Sequence, residues 1–384
     1  MEELYRAMIY FDNAATTYPK PYNVIKQTLR AFEIYGANPG RSGHFFANET
    51  AEAVFKARNK CAALFNAEVE NTCFTLNCTH ALNLAIKGII TENAHLITTD
   101  LEHNSVIRPI HSASRKGCTY SIAKVEKNDL NTVKNIEELI TPKTKAVICT
   151  CASNVTGQIL PIKLIADLCK RKNICFIVDA AQGAGIIDLN IKEGINILCC
   201  AGHKGLYGPM GTGLLISDGK FHLKTIIEGG TGSDSNSIEQ PIFTPDKFES
   251  GTINTPGVIA LGAGIDFISK KGIAKIHKEE SRLCNIFINE LKNNNNITLY
   301  IDENIKTVPL ISFNIKGISS FEAATLLSDS GFCLRGGLHC SFLAHNKLGT
   351  IEQGTVRFAP SIFNKPAEVY MLTDFLNNYT KKLK

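Results

Sequence analysis

Between about residues 70 and 270, short apolar runs alternate with longer stretches whose apolar positions recur at helical spacing. That alternation predicts an α/β unit, a mostly parallel sheet covered by helices on both faces. The predicted strands include residues 72–76, 95–98, 146–150, 175–178, 197–200 and 213–216, most of them followed by a polar or glycine-rich loop. In such sheets the chemistry gathers at the strand ends. After Pro256 a helical stretch from 257 to about 292 leads through the asparagine run 293–296 to short apolar segments such as 310–315. A terminal helix is predicted near 365–382. This second pattern predicts a smaller α+β unit. The expected division is an N-terminal arm over 1–30 that belongs with the small domain, a large domain over 31–260 and a C-terminal small domain over 261–384. The Gly/Asn/Pro-rich loop 36–43 suits a segment folded over a site.

Length and composition agree with this picture. A chain of 384 residues is long enough for one large and one smaller apolar core. Hydrophobic residues at 44% and charged residues at 20% are ordinary globular usage. No stretch reaches the roughly 18 apolar residues of a membrane span. The start, Met1-Glu2-Glu3-Leu4, is acidic and carries no signal-peptide pattern, so a cytoplasmic location is expected. The net charge of +5 arises from 41 basic and 36 acidic residues scattered along the chain. No basic block interleaved with aromatics points to nucleic acid. The 13 cysteines show no metal-ligand spacing, and several, such as Cys149, Cys175, Cys199 and Cys200, lie in apolar runs as small hydrophobes. No metal site and no disulfide framework is expected.

The chemistry begins at Ala201-Gly202-His203-Lys204-Gly205, continued by Tyr207-Gly208-Pro209-Met210-Gly211-Thr212-Gly213. Alone, Lys204 reads as a surface charge. Upstream, however, the apolar run 174–178 ends in Asp179-Ala180-Ala181-Gln182. A carboxylate at the end of a buried strand is costly unless a cation meets it. A protonated pyridine nitrogen is such a cation, and an N-capping role is the alternative. Together Asp179 and Lys204 point to pyridoxal 5'-phosphate held on Lys204 as a Schiff base. The run Asn77-Cys78-Thr79-His80-Ala81-Leu82-Asn83 joins a strand to a helical pattern, where backbone donors at a helix start suit a phosphate. Cys78, Thr79 and His80 are the candidate contacts there, although a threonine in such a turn is often only a cap. His103, in Asp100-Leu101-Glu102-His103-Asn104-Ser105, follows another strand where an imidazole would stack on the pyridine ring. A loop or cap residue is its alternative.

These separated motifs resemble the class V aminotransferase group of fold-type I pyridoxal-phosphate enzymes, in its cysteine desulfurase and selenocysteine lyase branch. The resemblance runs from Tyr10-Phe11-Asp12-Asn13-Ala14-Ala15-Thr16-Thr17 to Val356-Arg357-Phe358-Ala359-Pro360. It implies a seven-stranded type of sheet in the large domain, Lys204 as the Schiff-base lysine, Asp179 as partner of the pyridine nitrogen and Gln182 as donor to the ring hydroxyl. By the same likeness His103 stacks on the ring, Asn154 approaches cofactor and substrate, and Thr79 and His203 touch the phosphate. The segment Glu249-Ser250-Gly251-Thr252-Ile253-Asn254 resembles the one through which a neighbouring subunit completes the phosphate site, implying a homodimer with Thr252 in that role. One departure is Ala201, where the family commonly has Ser or Thr, so that one phosphate hydroxyl is missing.

Leu334-Arg335-Gly336-Gly337-Leu338-His339-Cys340-Ser341 resembles the short active-site loop of the second desulfurase group. Cys340 could be another buried thiol, but its glycines and histidine describe a polar, turning loop. A basic setting would favour the thiolate. Arg357 lies in an apolar stretch and calls for a bidentate carboxylate, either a protein acid or, as the resemblance implies, the substrate's α-carboxylate. Arg335 is its expected assistant. Arg41 and His44 resemble the N-terminal loop that covers the site. The implied reaction is conversion of L-cysteine to L-alanine, with sulfur left on Cys340 as a persulfide and Lys204 and His103 moving protons. L-Selenocysteine is the alternative substrate. Transamination or another C–S lyase reaction, and a sulfur-relay scaffold without turnover, are the other readings. A sulfur-acceptor protein is expected, and neither nucleic acid nor membrane is.

Overall fold

The computed structural model describes residues 8–40 and 43–382. Its centre is a seven-stranded sheet in the order β2 (Thr72–Thr75), β8 (Gly213–Ser217), β7 (Ile197–Ala201), β6 (Cys175–Asp179), β5 (Thr144–Thr150), β3 (His95–Thr99) and β4 (Thr119–Ala123). From β7 to β4 the strands run parallel, and β8 is antiparallel to both of its neighbours. Strands β6, β7 and β8 are buried at every residue, which explains their continuous apolar runs. β4 escapes the apolar pattern because it is an edge strand: Thr119-Tyr120-Ser121-Ile122 is part-exposed and only Ala123 is buried.

Amphipathic helices cover both faces. Ile162–Lys172 shows the logic: Ile165, Ala166, Leu168 and Cys169 face the core, while Lys170, Arg171 and Lys172 sit in the last turn. The helix stops where Asn173 takes a left-handed conformation at φ +52°. The long helical stretch expected over 257–292 is two helices, Thr255–Lys271 and Ile273–Leu291. Gly272 between them adopts φ +82°, which ends the first helix and turns the chain.

A four-stranded antiparallel sheet, ordered β12 (Arg335–Gly337), β13 (Thr355–Phe358), β10 (Ile311–Ile315) and β9 (Ile297–Leu299), forms the second layer system. Its core includes Phe287, Phe313 and Phe358, with the Phe287 and Phe358 rings stacked at 4.3 Å. The N-terminal strand β1 (Ile9–Tyr10) joins this region through a parallel pairing with β11 (Phe332–Cys333). Asp12 continues it by bridging to Ala359. Residues 13–17 therefore pass between the two sheets. There Thr17 N and Thr16 Oγ1 bond His203 O, and Thr17 Oγ1 bonds Lys204 O at 2.6 Å.

Candidate active site

The parallel strands deliver their loops to one edge of the large sheet. Thr150 pairs with Asp179, Asp179 with Cys199, and Ala201 with Gly213, so the ends of four strands lie in register. Beyond them is a cavity of about 190 Å³ lined by Asn77, Cys78, Thr79, His103, Ser105, Thr150, Asn154, Asp179, Gln182, Ala201, His203 and Lys204, among others. Most of the predicted cofactor residues are thus brought together from positions more than a hundred residues apart.

Lys204 sits on a loop that crosses other backbone closely. A Cβ on Gly205 would lie 2.4 Å from Ala184 O, and one on Gly202 would lie 2.1 Å from Thr212 Oγ1. Only glycine fits at these contacts, which accounts for the glycines around the lysine. Burial, reinforced by Arg357, lowers the Lys204 pKa, while Asp179 opposes the shift. The amine is thereby pushed toward its neutral, nucleophilic form. Asp179 is 3% exposed. Its Oδ1 accepts from Ala181 N at 2.9 Å and from the Cys78 thiol at 3.3 Å. Cys78 therefore braces the carboxylate, and burial keeps it a neutral thiol by raising its pKa.

Helix Cys78–Ile89 points its N-terminus at the cavity, capped by Asn77, whose side chain accepts from His80 N. The free first-turn donors are the expected phosphate cradle. Thr79 Oγ1 lies 2.7 Å from Ser105 Oγ, and these hydroxyls line the same wall. His80 turns back instead: its Nδ1 accepts from Leu76 N, and it does not line the cavity. His103 is at once a cap and a cavity residue, since its Nδ1 accepts from Ser105 N at 3.0 Å. That bond places the imidazole proton on Nε2. Burial holds the ring neutral, its pKa down to about 4. His203 lines the cavity with a buried Nδ1 that has no partner among the described residues. Gln182 donates to Ala14 O at 3.1 Å.

These features fit the pyridoxal phosphate expected from the sequence: a buried lysine, a buried carboxylate, a helix start with two hydroxyls, and an orphaned imidazole nitrogen. Ala201 ends β7 at this wall and contributes no hydroxyl. Thr252 lines a separate cavity of about 230 Å³ with Asn38, Phe55, Arg58 and Glu249, away from Lys204 of its own chain. Arg58 and Glu249 hold this segment with a buried bidentate pair, Nη2 to Oε2 at 2.8 Å. His44 caps helix Phe45–Leu64, and Arg41 lies outside the described residues.

The second cluster comes from the small sheet. Arg335 and Arg357 are direct cross-strand partners on β12 and β13, an arrangement of like charges that favours an anion beside them. Arg357, 1% exposed, pairs with Asp12 Oδ1 at 2.8 Å and donates to Asn154 O at 3.2 Å. The protein-carboxylate alternative is therefore real. Nevertheless, Arg357 Nε is buried without a partner among the described residues, so one donor is left for a second carboxylate.

Cys340 is exposed, whereas the other cysteines are buried apart from the half-buried Cys333. Arg335 Nη2 lies 3.7 Å from its sulfur. The neighbouring His339 does not add charge: it is buried against Thr355, and its pKa is pushed down to about 2. The basic setting thus rests on Arg335. Cys340 does not line the Lys204 cavity, yet two cavity-side anchors reach its loop. Asn154 Nδ2 donates to His339 O, and Asn104 N, beside His103, donates to Cys340 O at 2.7 Å. Sequence reasoning missed Asp12, Ser105 and Ser341 as site residues. Asp12 stood within a recognised motif, but its partner is 345 positions away.

The aminotransferase class-V family model matches residues 9–372. A protein of Borreliella burgdorferi named "Probable cysteine desulfurase" is 32% identical, over 94% of this chain and 89% of that one. A protein of the same name from Methanothermobacter thermautotrophicus is 29% identical, over 97% and 95% respectively. The apo structure of a cysteine desulfurase from Thermococcus onnurineus superposes with a TM-score of 0.91 at 28% identity, covering 99% of this chain and 96% of that one.

Proposed function

Because this chain belongs to the aminotransferase class-V family, we propose that it is a pyridoxal-phosphate-dependent cysteine desulfurase that converts L-cysteine to L-alanine and retains the sulfur on Cys340. The observation that carries this reading is the exposed thiol of Cys340 at 3.7 Å from Arg335, on a strand paired residue for residue with Arg357. An acidic or apolar loop at that place would serve transamination equally well; a thiol beside a guanidinium serves sulfur removal.

Held on Lys204, pyridoxal phosphate would supply a carbonyl carbon that the substrate amine takes over from the lysine, and a ring able to accept electrons from Cα. Asp179 would hold the ring nitrogen protonated, and Gln182 and Asn154 would orient the ring. The helix start at Cys78–Thr79, with Ser105 and His203, would bind the phosphate. Thr252 of a second copy completes that site in a homodimer. Arg357 Nε, assisted by Arg335, receives the substrate carboxylate, which fixes the Cα–H and Cβ–S bonds.

Lys204, its amine neutral after displacement, takes the Cα proton. The Cys340 thiolate then attacks the substrate sulfur. An S–S bond forms, the Cβ–S bond breaks, and its electron pair is protonated at Cβ from the Lys204 ammonium, while the proton released by the Cys340 thiol restores the Cα–H. Cysteine plus thiol gives alanine plus persulfide, balanced without any outside oxidant. A sulfur-acceptor protein then takes the terminal sulfur from the exposed Cys340. No helix among the described residues is long and apolar enough to cross a membrane. In Cys340→Ser, alanine and sulfide formation from L-cysteine should vanish while the cofactor's visible absorbance persists. Undiminished alanine formation would sink the reading.

A further inference from the structure

His339 and Cys340 are successive residues with φ of +49° and +57°. Neither is glycine, and a left-handed backbone is disfavoured for any residue with a Cβ. Two in a row, one of them the nucleophile, persist only where the surroundings dictate the conformation. Here the surroundings do so from both sides. Asn154 Nδ2 donates to His339 O at 2.8 Å, and Ser341 Oγ donates to Asn154 Oδ1 at 2.6 Å. One buried amide thus bridges the residue before Cys340 and the residue after it. Ser341 is fully buried, and Asn154 is 7% exposed. Ser341 N also closes the turn onto Leu338 O at 2.9 Å.

We infer that Ser341 is a positioning residue for the nucleophile: acting through Asn154, it holds Cys340 in the left-handed backbone that sets its thiol beside Arg335. The Asn154 carbonyl accepts from Arg357, so the same residue ties the nucleophile loop to the arginine that receives the substrate carboxylate. Removing the Ser341 hydroxyl orphans Asn154 Oδ1 in a buried place and releases one arm of the clamp. The loop then relaxes toward ordinary φ values, and the thiol leaves Arg335. The catalytic consequence rests on the desulfurase reading; the thiol's placement does not.

The test uses the holoenzyme, its Ser341→Ala and Ser341→Thr variants, and Asn154→Asp, which keeps the oxygen facing Ser341 but loses the donor to His339. Alkylation of Cys340 by iodoacetamide, read by mass spectrometry at fixed pH, needs no turnover. It should slow at least threefold in Ser341→Ala and Asn154→Asp and recover in Ser341→Thr. In parallel, Ser341→Ala should keep the cofactor absorbance and a KM for L-cysteine within threefold, while kcat falls tenfold or more, as a misplaced reactive group predicts. Alkylation within twofold of wild type in both Ser341→Ala and Asn154→Asp overturns the inference. So does a loss in Ser341→Ala that carries cofactor absorbance and KM down together with kcat. If Ser341→Ala does not fold, Asn154→Asp decides. Wild-type protein that makes no alanine from cysteine defeats the desulfurase reading instead, and leaves the alkylation result to judge the clamp.

Discussion

Asp12→Asn removes one negative charge while keeping the side chain's size. Arg357 is buried at 1% exposure, and Asp12 is the acid paired with it, at 2.8 Å. Burial already pulls the Arg357 pKa below its usual value, Arg335 adds to that, and Asp12 is the main opposing influence. An arginine does not give up its proton inside a protein, so the loss of Asp12 has to appear as folding free energy. Breaking a buried pair by removing one partner costs about 3–5 kcal/mol; the Asp12 side chain is 19% exposed, so water recovers part of this and about 2–3 kcal/mol remains. With an unfolding entropy of about 2.1 cal/mol/K per residue, about 0.8 kcal/mol/K for 384 residues, Tm should fall by about 2.5–4 °C. Circular dichroism melts of wild type and variant measure it. Acetate, a small carboxylate able to replace Asp12 beside the guanidinium, should restore about 1.4 kcal/mol at ten times its Kd in the variant. A Tm change under about 1 °C, or equal stabilisation of both proteins by acetate, would refute the reasoning.

Glu249→Gln should cost about 3–5 kcal/mol, because it breaks the Arg58 pair whose side chains are only 9% and 8% exposed; an unchanged guanidinium midpoint would contradict this. Glu280 bonds Tyr207 Oη and Ile362 N in the core, and burial pushes its pKa from 4.5 up to about 8. The folded state therefore keeps a proton that the unfolded chain loses near 4.5, and this contribution is lost as pH rises from about 4.5 to 8. Glu280→Gln should flatten Tm over that window, and parallel wild-type and variant curves would count against it. The buried histidines act with the opposite sign. His103, His203 and His345 are pushed down to about 4 from 6.5, so the unfolded chain takes protons first and stability drops as pH falls from 6.5 toward 4. Measured in Glu280→Gln, where the opposing carboxyl is gone, a Tm that does not fall across that range would refute this.

The large sheet was legible because its central strands are buried on both faces, so that 175–178 and 197–200 read as unbroken apolar runs. β4 was not, since an edge strand needs no such run. The break at Gly272 was also hidden, because helical spacing on either side of one glycine looks continuous. In the candidate site, Asp179 and Cys340 could be singled out locally, by a charge at the end of an apolar run and by a polar loop around a thiol, and Lys204 once its glycine-ringed loop was set beside Asp179.

What the sequence alone determined was which residues stand out as candidate reactive groups and most of the elements that carry them, since periodicity, glycines and misplaced charges act over a few residues. What only the tertiary structure decided was pairing. Asp12 meets Arg357, Asn154 spans the Cys340 loop, His339 turns inward and neutral, and Thr252 stands away from its own chain's lysine. Such outcomes depend on which distant strands lie side by side and on how much water remains between them. A linear pattern carries neither quantity, because burial and distance exist only once the chain has closed upon itself.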